Sequence, residues 1–361
     1  MSEAATSWEL LRPAIAEMSL AFSICLVLLI DVFAGTVRRQ LTPAITLLLL
    51  AGCAWLTVSI GEVPGRTVLF DGLYVADHLS VFLKLASFLS VGLALFYSQA
   101  YLDRHGIAGG EYQVLAMTAL LGICVLISAN SLLTVYLGVE LLALSLYALV
   151  AFDRESGIAA EAAIKYFVLG AIASGVLLYG MSMLYGLTGT LNLDKLSTIN
   201  AAHGAGFVIA VTFIVVAVAF KLGAVPFHMW IPDVYHGAPA SVALLVSTVP
   251  KLAYFVLVMR LLTYGLGADP TLWVQIFEAL AVLSLLAGNL IAIAQSSIRR
   301  MLGYSAIANV GFILLGFINA GPDGYRAALA GVRHQRLRPA PPDADHRAVA
   351  EPMAGRAAGH L

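Results

Sequence analysis

Three ionisable residues lie deep inside long apolar runs of this 361-residue sequence. Glu140 falls within SLLTVYLGVELLALSLYALVAF, Lys221 within AVAFKLGAVPFHMW and Lys251 within STVPKLAYFVLV. The chain has five lysines, so two in such surroundings call for an explanation. A charge at mid-bilayer costs about 2.5–3.5 kcal/mol on insertion scales, and groups that bear this cost face a bundle interior and mark ion or proton paths. The blander reading is a buried ion pair that only fixes helix packing. Desolvation penalises the charged form of either group, and a nearby opposite charge restores it. A buried lysine can therefore release or regain a proton as a carboxylate approaches or retreats, without a metal or organic cofactor. We expect Glu140, Lys221 and Lys251 to face one another inside the bundle.

The backbone around Lys221 sharpens this reading. Gly223 and Pro226 follow within five residues, and proline removes an N–H and clashes with the preceding turn. A helix interrupted between Lys221 and His228 is predicted. Its first half would end in carbonyls of partial negative charge, a favourable place for the Lys221 ammonium. His228, Asp233 and His236 flank the break in WIPDVYHGAP; they are candidates for loading protons from one side, or satisfied loop residues. Glu161 and Lys165 have the spacing of a helix surface pair. Lys84 and Glu278 lie one to two turns inside their spans, where a side chain can snorkel to the interface. Cys25, Cys53 and Cys124 are scattered through apolar stretches and read as small buried hydrophobes rather than a disulfide frame or metal site.

The elements that must position these residues follow from composition. The chain is 60% hydrophobic and 11% charged, with a mean hydropathy of +0.91, against about a quarter charged residues in a soluble domain. Apolar windows of about 20 residues number ten: 14–34, 44–60, 78–99, 112–129, 131–151, 162–187, 206–229, 238–264, 272–294 and 303–320. They lack the period-two alternation of a barrel strand, and lipid admits only helices or closed barrels. The fold class is all-α, a polytopic transmembrane helix bundle. The first run follows no basic cluster and reads as a span rather than a cleaved signal. Net charge is -1, with no basic face for nucleic acid, and no Walker loop, dinucleotide fingerprint or haem-type histidine pair is visible. With the N-terminus outside, seven basic residues (Arg38, Arg39, Arg104, Arg154, Lys165, Arg299, Arg300) fall inside and four (Arg12, Arg66, Lys195, Arg260) outside, which favours that orientation. From Gly331 to Leu361 the pattern changes to five Arg, four Pro and three His. We expect this tail to be foreign to the fold, as a frameshifted or truncated end would be.

Three segments resemble a known family. EAAIKYFVLGAIASGVLLYGMSMLYGLTG (161–189) is similar to the sixth-helix signature of subunit N of respiratory complex I. FKLGAVPFHMWIPDVYHGAPASVALLVSTVPK (220–251) resembles its broken seventh helix and eighth helix, and GNLIAIAQSSIRRMLGYSAIANVGFILLGF (288–317) the segment after its ninth. The resemblance implies an antiporter-like fold, with N-terminal helices over 1–105, a first repeat over 106–265, the start of a second over 266–320 and an atypical tail over 321–361. It implies that Glu140, Lys221 and Lys251 are the proton-relay residues. Other membrane subunits would be the partners, in a bacterial inner membrane with the N-terminus periplasmic. NADH, FMN, iron–sulfur clusters and quinone would sit on other subunits, none on this chain. Asn309 stands where many members have His, and no lysine follows Lys251 to serve a second repeat. A subunit of a multisubunit cation/proton antiporter and a truncated, non-functional fragment are the alternatives.

Overall fold

Backbone groups in an apolar run have no water to bond, so each run closes its own hydrogen bonds as helix. The computed structural model describes residues 11–33, 41–60, 65–107, 109–198, 204–266 and 271–318. Ten of its helices are long and apolar enough to cross a membrane, matching the ten predicted spans. They are α1 (Ile15–Phe33), α2 (Thr42–Ser59), α3 (His78–Arg104), α4 (Gly110–Ile127), α5 (Leu132–Val150), α6 (Gly157–Thr188), α7 (Ala205–Leu222), α8 (Ala240–Leu257), α9 (Thr271–Ile293) and α10 (Ile298–Ile318). A π-helical segment, Val258–Gly265, prolongs α8, and the short helix Trp230–Gly237 joins α7 to α8. The tail from 321 onward lies outside the described residues.

Local chemistry sets the helix ends. Capping boxes start α3, between Asp77 and Ser80, and α5, between Ser131 and Thr134. Gly189, with φ of 70°, ends α6 in the left-handed region. At 32 residues α6 is about 48 Å long, more than a hydrocarbon core needs, so its first turns project beyond it. Glycine sets how closely α4 and α5 pack. A Cβ on Gly122 would lie 2.6 Å from the Leu142 nitrogen, and one on Gly138 2.9 Å from the Leu126 nitrogen. In lipid such close approach supplies the dispersion contact that holds helices together.

The N-terminal layer corrects three expectations. Lys84 does not snorkel. Its side chain is 3% exposed, and its Nζ lies 2.7 Å from Glu17 Oε1 on α1. It also donates to the Tyr74 hydroxyl at 2.8 Å. Glu17 offers a countercharge closer than the interface. Tyr74 belongs to an antiparallel hairpin of β1 (Thr67–Leu69) and β2 (Tyr74–Ala76), strands too short to leave a periodic signal. Arg260, assigned to an outer loop, is buried. It makes two hydrogen bonds to Asp77, at 2.9 and 3.1 Å, and donates to the Ile127 carbonyl at 3.0 Å. The π-helical turns carry it inward. Burial pushes the Asp77 carboxyl up, but the bonds and charge of Arg260 outweigh this and hold it below the usual carboxylate range. Cys25 is exposed on the outer face of α1, whereas Cys53 and Cys124 are buried as expected.

Removing one partner of a buried ion pair strands the other charge, at about 3–5 kcal/mol. Lys84→Met should therefore lower thermal stability in detergent markedly, and Glu17→Gln/Lys84→Met should recover most of the loss. Unchanged unfolding of Lys84→Met would show that the pair contributes nothing.

Candidate functional site

The site is organised by the end of α7. Gly223 takes a φ of 81°, and a Cβ there would run into the Ile231 side chain. Its N–H reaches the carbonyls of Ala219 and Phe220 at 2.9 and 3.0 Å, and Ala224 N–H also reaches Ala219. The chain then turns through Pro226 and resumes helical form at Trp230. The interruption expected between Lys221 and His228 is present. Trp230 Nε1 donates to the Phe220 carbonyl at 3.0 Å, and Ser284 of α9 accepts the Val225 N–H at 2.9 Å. Polar groups released by the break are thus bonded again within the bundle, as an apolar surrounding demands.

Two lysines meet this break from opposite sides. Lys251 Nζ, from α8, donates to the Leu222 carbonyl at 3.0 Å. The carbonyl end of α7 therefore holds Lys251, not Lys221 as the sequence suggested. Helical side chains lean toward the N-terminus of their own helix, so Lys221 points away from the carbonyls behind it, while Lys251 comes to them from a neighbouring helix. Lys221 instead donates to Ser174 Oγ of α6 at 3.0 Å, and its Nζ stands 4.0 Å from Glu140 Oε1 of α5. The Lys221 side chain is 3% exposed and that of Glu140 22%. At this separation opposite unit charges attract by about 4 kcal/mol for an effective dielectric of 20, which offsets about 3 kcal/mol for a charge at mid-bilayer. Glu140 Oε1 has no hydrogen-bond partner, so a small side-chain movement or one water would close the gap. Two polar groupings thus sit at the end of α7, Glu140 with Lys221 and Ser174 on one side and Lys251 on the Leu222 carbonyl on the other. Ser174 was missed from sequence; its signal was a small hydroxyl midway along AIASGVLL.

The loop end of the site carries a charge network. Asp233 accepts from Lys165 at 3.0 Å and from Arg300, and Lys165 also pairs with Glu161 at 2.8 Å. The expected surface pair is present and extended. Burial pushes the Asp233 carboxyl up, and bonds from these two cations outweigh it and hold it below the usual range, so Asp233 staples the short helix Trp230–Gly237 to α6 and α10. His228, half-buried in the turn, is held below the ordinary imidazole range by desolvation, against the opposing pull of the Pro226 carbonyl as acceptor. Between α8 and α10 lies a cavity of about 60 Å³ lined by Tyr235, Ser247, Arg299, Ser305 and Asn309, enough for a few waters. The buried Tyr235 hydroxyl has no partner. Ser247 precedes Lys251 by four residues, one helical turn.

Residues 129–334 match the family described as NADH:quinone oxidoreductase/Mrp antiporter, transmembrane. NADH-quinone oxidoreductase subunit N of Nitrosomonas europaea is 51% identical over 320 residues, covering 88% of this chain and 66% of its own length. The subunit N of Thioalkalivibrio sulfidiphilus is 50% identical over 321 residues, covering 88% and 67%. The chain thus spans about two thirds of the length of these curated relatives. Among solved structures, a chain of respiratory complex I from Thermus thermophilus with bound aureothin is 30% identical with a TM-score of 0.73, covering 89% of this chain and 69% of that one. A chain of the Mrp complex from Dietzia sp. is 21% identical with a TM-score of 0.77, covering 91% and 62%; that likeness is one of fold.

A left-handed conformation costs a residue with a Cβ about 1–2 kcal/mol, to which contact with Ile231 adds. Gly223→Ala should lower the thermal unfolding temperature in detergent by several degrees. An unchanged unfolding temperature would contradict the described end of α7.

Proposed function

This chain belongs to the NADH:quinone oxidoreductase/Mrp antiporter transmembrane family, and we propose that it is the subunit N-type proton-channel subunit of a bacterial NADH:quinone oxidoreductase. The observation that carries this reading is the placing of two buried lysines at one broken helix, Lys221 beside Glu140 and Lys251 on the Leu222 carbonyl. Glu140 accepts a proton at the edge of the bundle, and its charge tunes how firmly Lys221 holds its own. Lys251 binds the carbonyl of Leu222, the residue after Lys221 in the chain, so in this reading a change in charge on one lysine alters the field at the other. The cavity lined by Tyr235, Ser247 and Asn309 reaches α8 one helical turn before Lys251, and in this reading water entering it supplies Lys251 from the loop end. Residues 106–265 form the first antiporter-like repeat in this reading, after an N-terminal layer over 1–105, and 266–320 begin the second. NADH, flavin, iron–sulfur and quinone sites belong to other subunits of the assembly, which bring energy to this one by contact.

The basic residues support a periplasmic N-terminus. With Arg260 withdrawn into the bundle, the four outer cations become three against seven inside, which strengthens the bias. A cation/proton antiporter would share the fold, but identity near 50% with subunit N of an NADH-quinone oxidoreductase favours the first reading.

In the assembled complex, Glu140→Ala and Lys221→Ala should each cut proton translocation driven by NADH oxidation by about a hundredfold or more, the scale of a lost acid–base group. Lys195→Ala, in the short turn Leu193–Leu196, should leave it unchanged. Undiminished pumping by both buried-site variants in membrane vesicles, at normal assembly, would remove the relay assignment.

A further inference from the structure

Where α3 ends and α2 and α4 begin they frame a half-open cavity of about 520 Å³. It lies on helices that the proposed proton relay does not use. Its wall changes character with depth. Thr42, Gln99, Asp103 and Gln113 line it at the helix ends, and Leu47, Leu95 and Phe96 one to two turns deeper. That is the gradient of a lipid, from head to chains.

The polar end is rich in acceptors. Gln113 Nε2 donates to Gln99 Oε1 at 3.4 Å, and Gln99 Nε2 donates to Asp103 Oδ1 at 2.9 Å. This amide chain spends donors and leaves acceptors over. The Gln113 side-chain oxygen has no partner, although the residue is 4% exposed. Asp31 Oδ1 has none either, and its carboxylate packs against Gly110 at the start of α4. Across the cavity Thr42, 1% exposed, has an unpartnered hydroxyl at the start of α2, where no side chain caps the helix.

We propose that this cavity binds a zwitterionic phospholipid with a primary ammonium headgroup, phosphatidylethanolamine. The ammonium supplies N–H donors to Asp103 and the Gln113 side-chain carbonyl, as charge-assisted bonds. Its phosphate lies toward the Thr42 hydroxyl and the positive end of α2, and the acyl chains run over Leu47, Leu95 and Phe96. A choline headgroup has no N–H to give, and a purely anionic one brings no cation to the Asp103 carboxylate.

The intact chain in detergent is titrated with phosphatidylethanolamine, phosphatidylcholine and phosphatidylglycerol of matched acyl chains, with bound lipid read by native mass spectrometry. Phosphatidylethanolamine should be retained at about tenfold lower concentration than the other two, the effect of a lost bond to a charged group. Asp103→Asn and Gln113→Leu should each erase the preference while keeping normal unfolding. If Gln113→Leu does not fold, the surface variant Asp103→Asn decides alone. Equal retention of the three lipids, as for a merely annular shell, overturns the proposal, and so does a preference that survives Asp103→Asn.

Discussion

An ammonium group inside an apolar bundle must be met by an anion or by main-chain oxygen, and this requirement orders the middle of the molecule. Lys251 is met by the Leu222 carbonyl, which is available because α7 stops there. Lys221 is met by Ser174 of α6, packed against α7, and by Glu140 of α5 at 4.0 Å. A continuous α7 would satisfy its own carbonyls and offer Lys251 nothing. The left-handed Gly223 is therefore as much a part of the site as the charged residues, since it both ends the helix and admits Ile231 beside it.

The same rule shapes the periphery. Lys84 pairs with Glu17, and Arg260 with Asp77, in both cases joining helices distant along the chain. These pairs tie the N-terminal layer and the hairpin to the rest of the bundle, where hydrophobic burial contributes little because lipid is as apolar as leucine. Glu140 differs from them. Its partner stands at 4.0 Å rather than in direct contact, and it is more exposed than either Glu17 or Asp77. A loosely held charge is suited to exchange, a tightly held one to structure.

Much of this was legible in the sequence because bilayer physics leaves few choices. Ten apolar runs became ten helices, and Gly223 with Pro226 placed the break of α7 correctly. Glu140, Lys221 and Lys251 stood out because charge in such runs is rare. Which partner each would take was not legible. That depends on helix rotation and on residues such as Ser174, 47 positions from Lys221. The fate of Lys84 likewise rested on Glu17, in another helix, with no local pattern to announce it. Arg260 was misplaced because the π-helical turns that carry it inward have no composition of their own.

In the proposed relay Glu140 and Lys221 act as one unit, the charge of the first governing the proton on the second. A double-mutant cycle on proton translocation by the assembled complex tests it most directly, with Glu140→Gln, Lys221→Met and the pair combined. Residues that act as a unit are strongly non-additive, so the double variant should translocate no worse than the poorer single variant. Losses that multiply, as for two independent sites, would contradict the account.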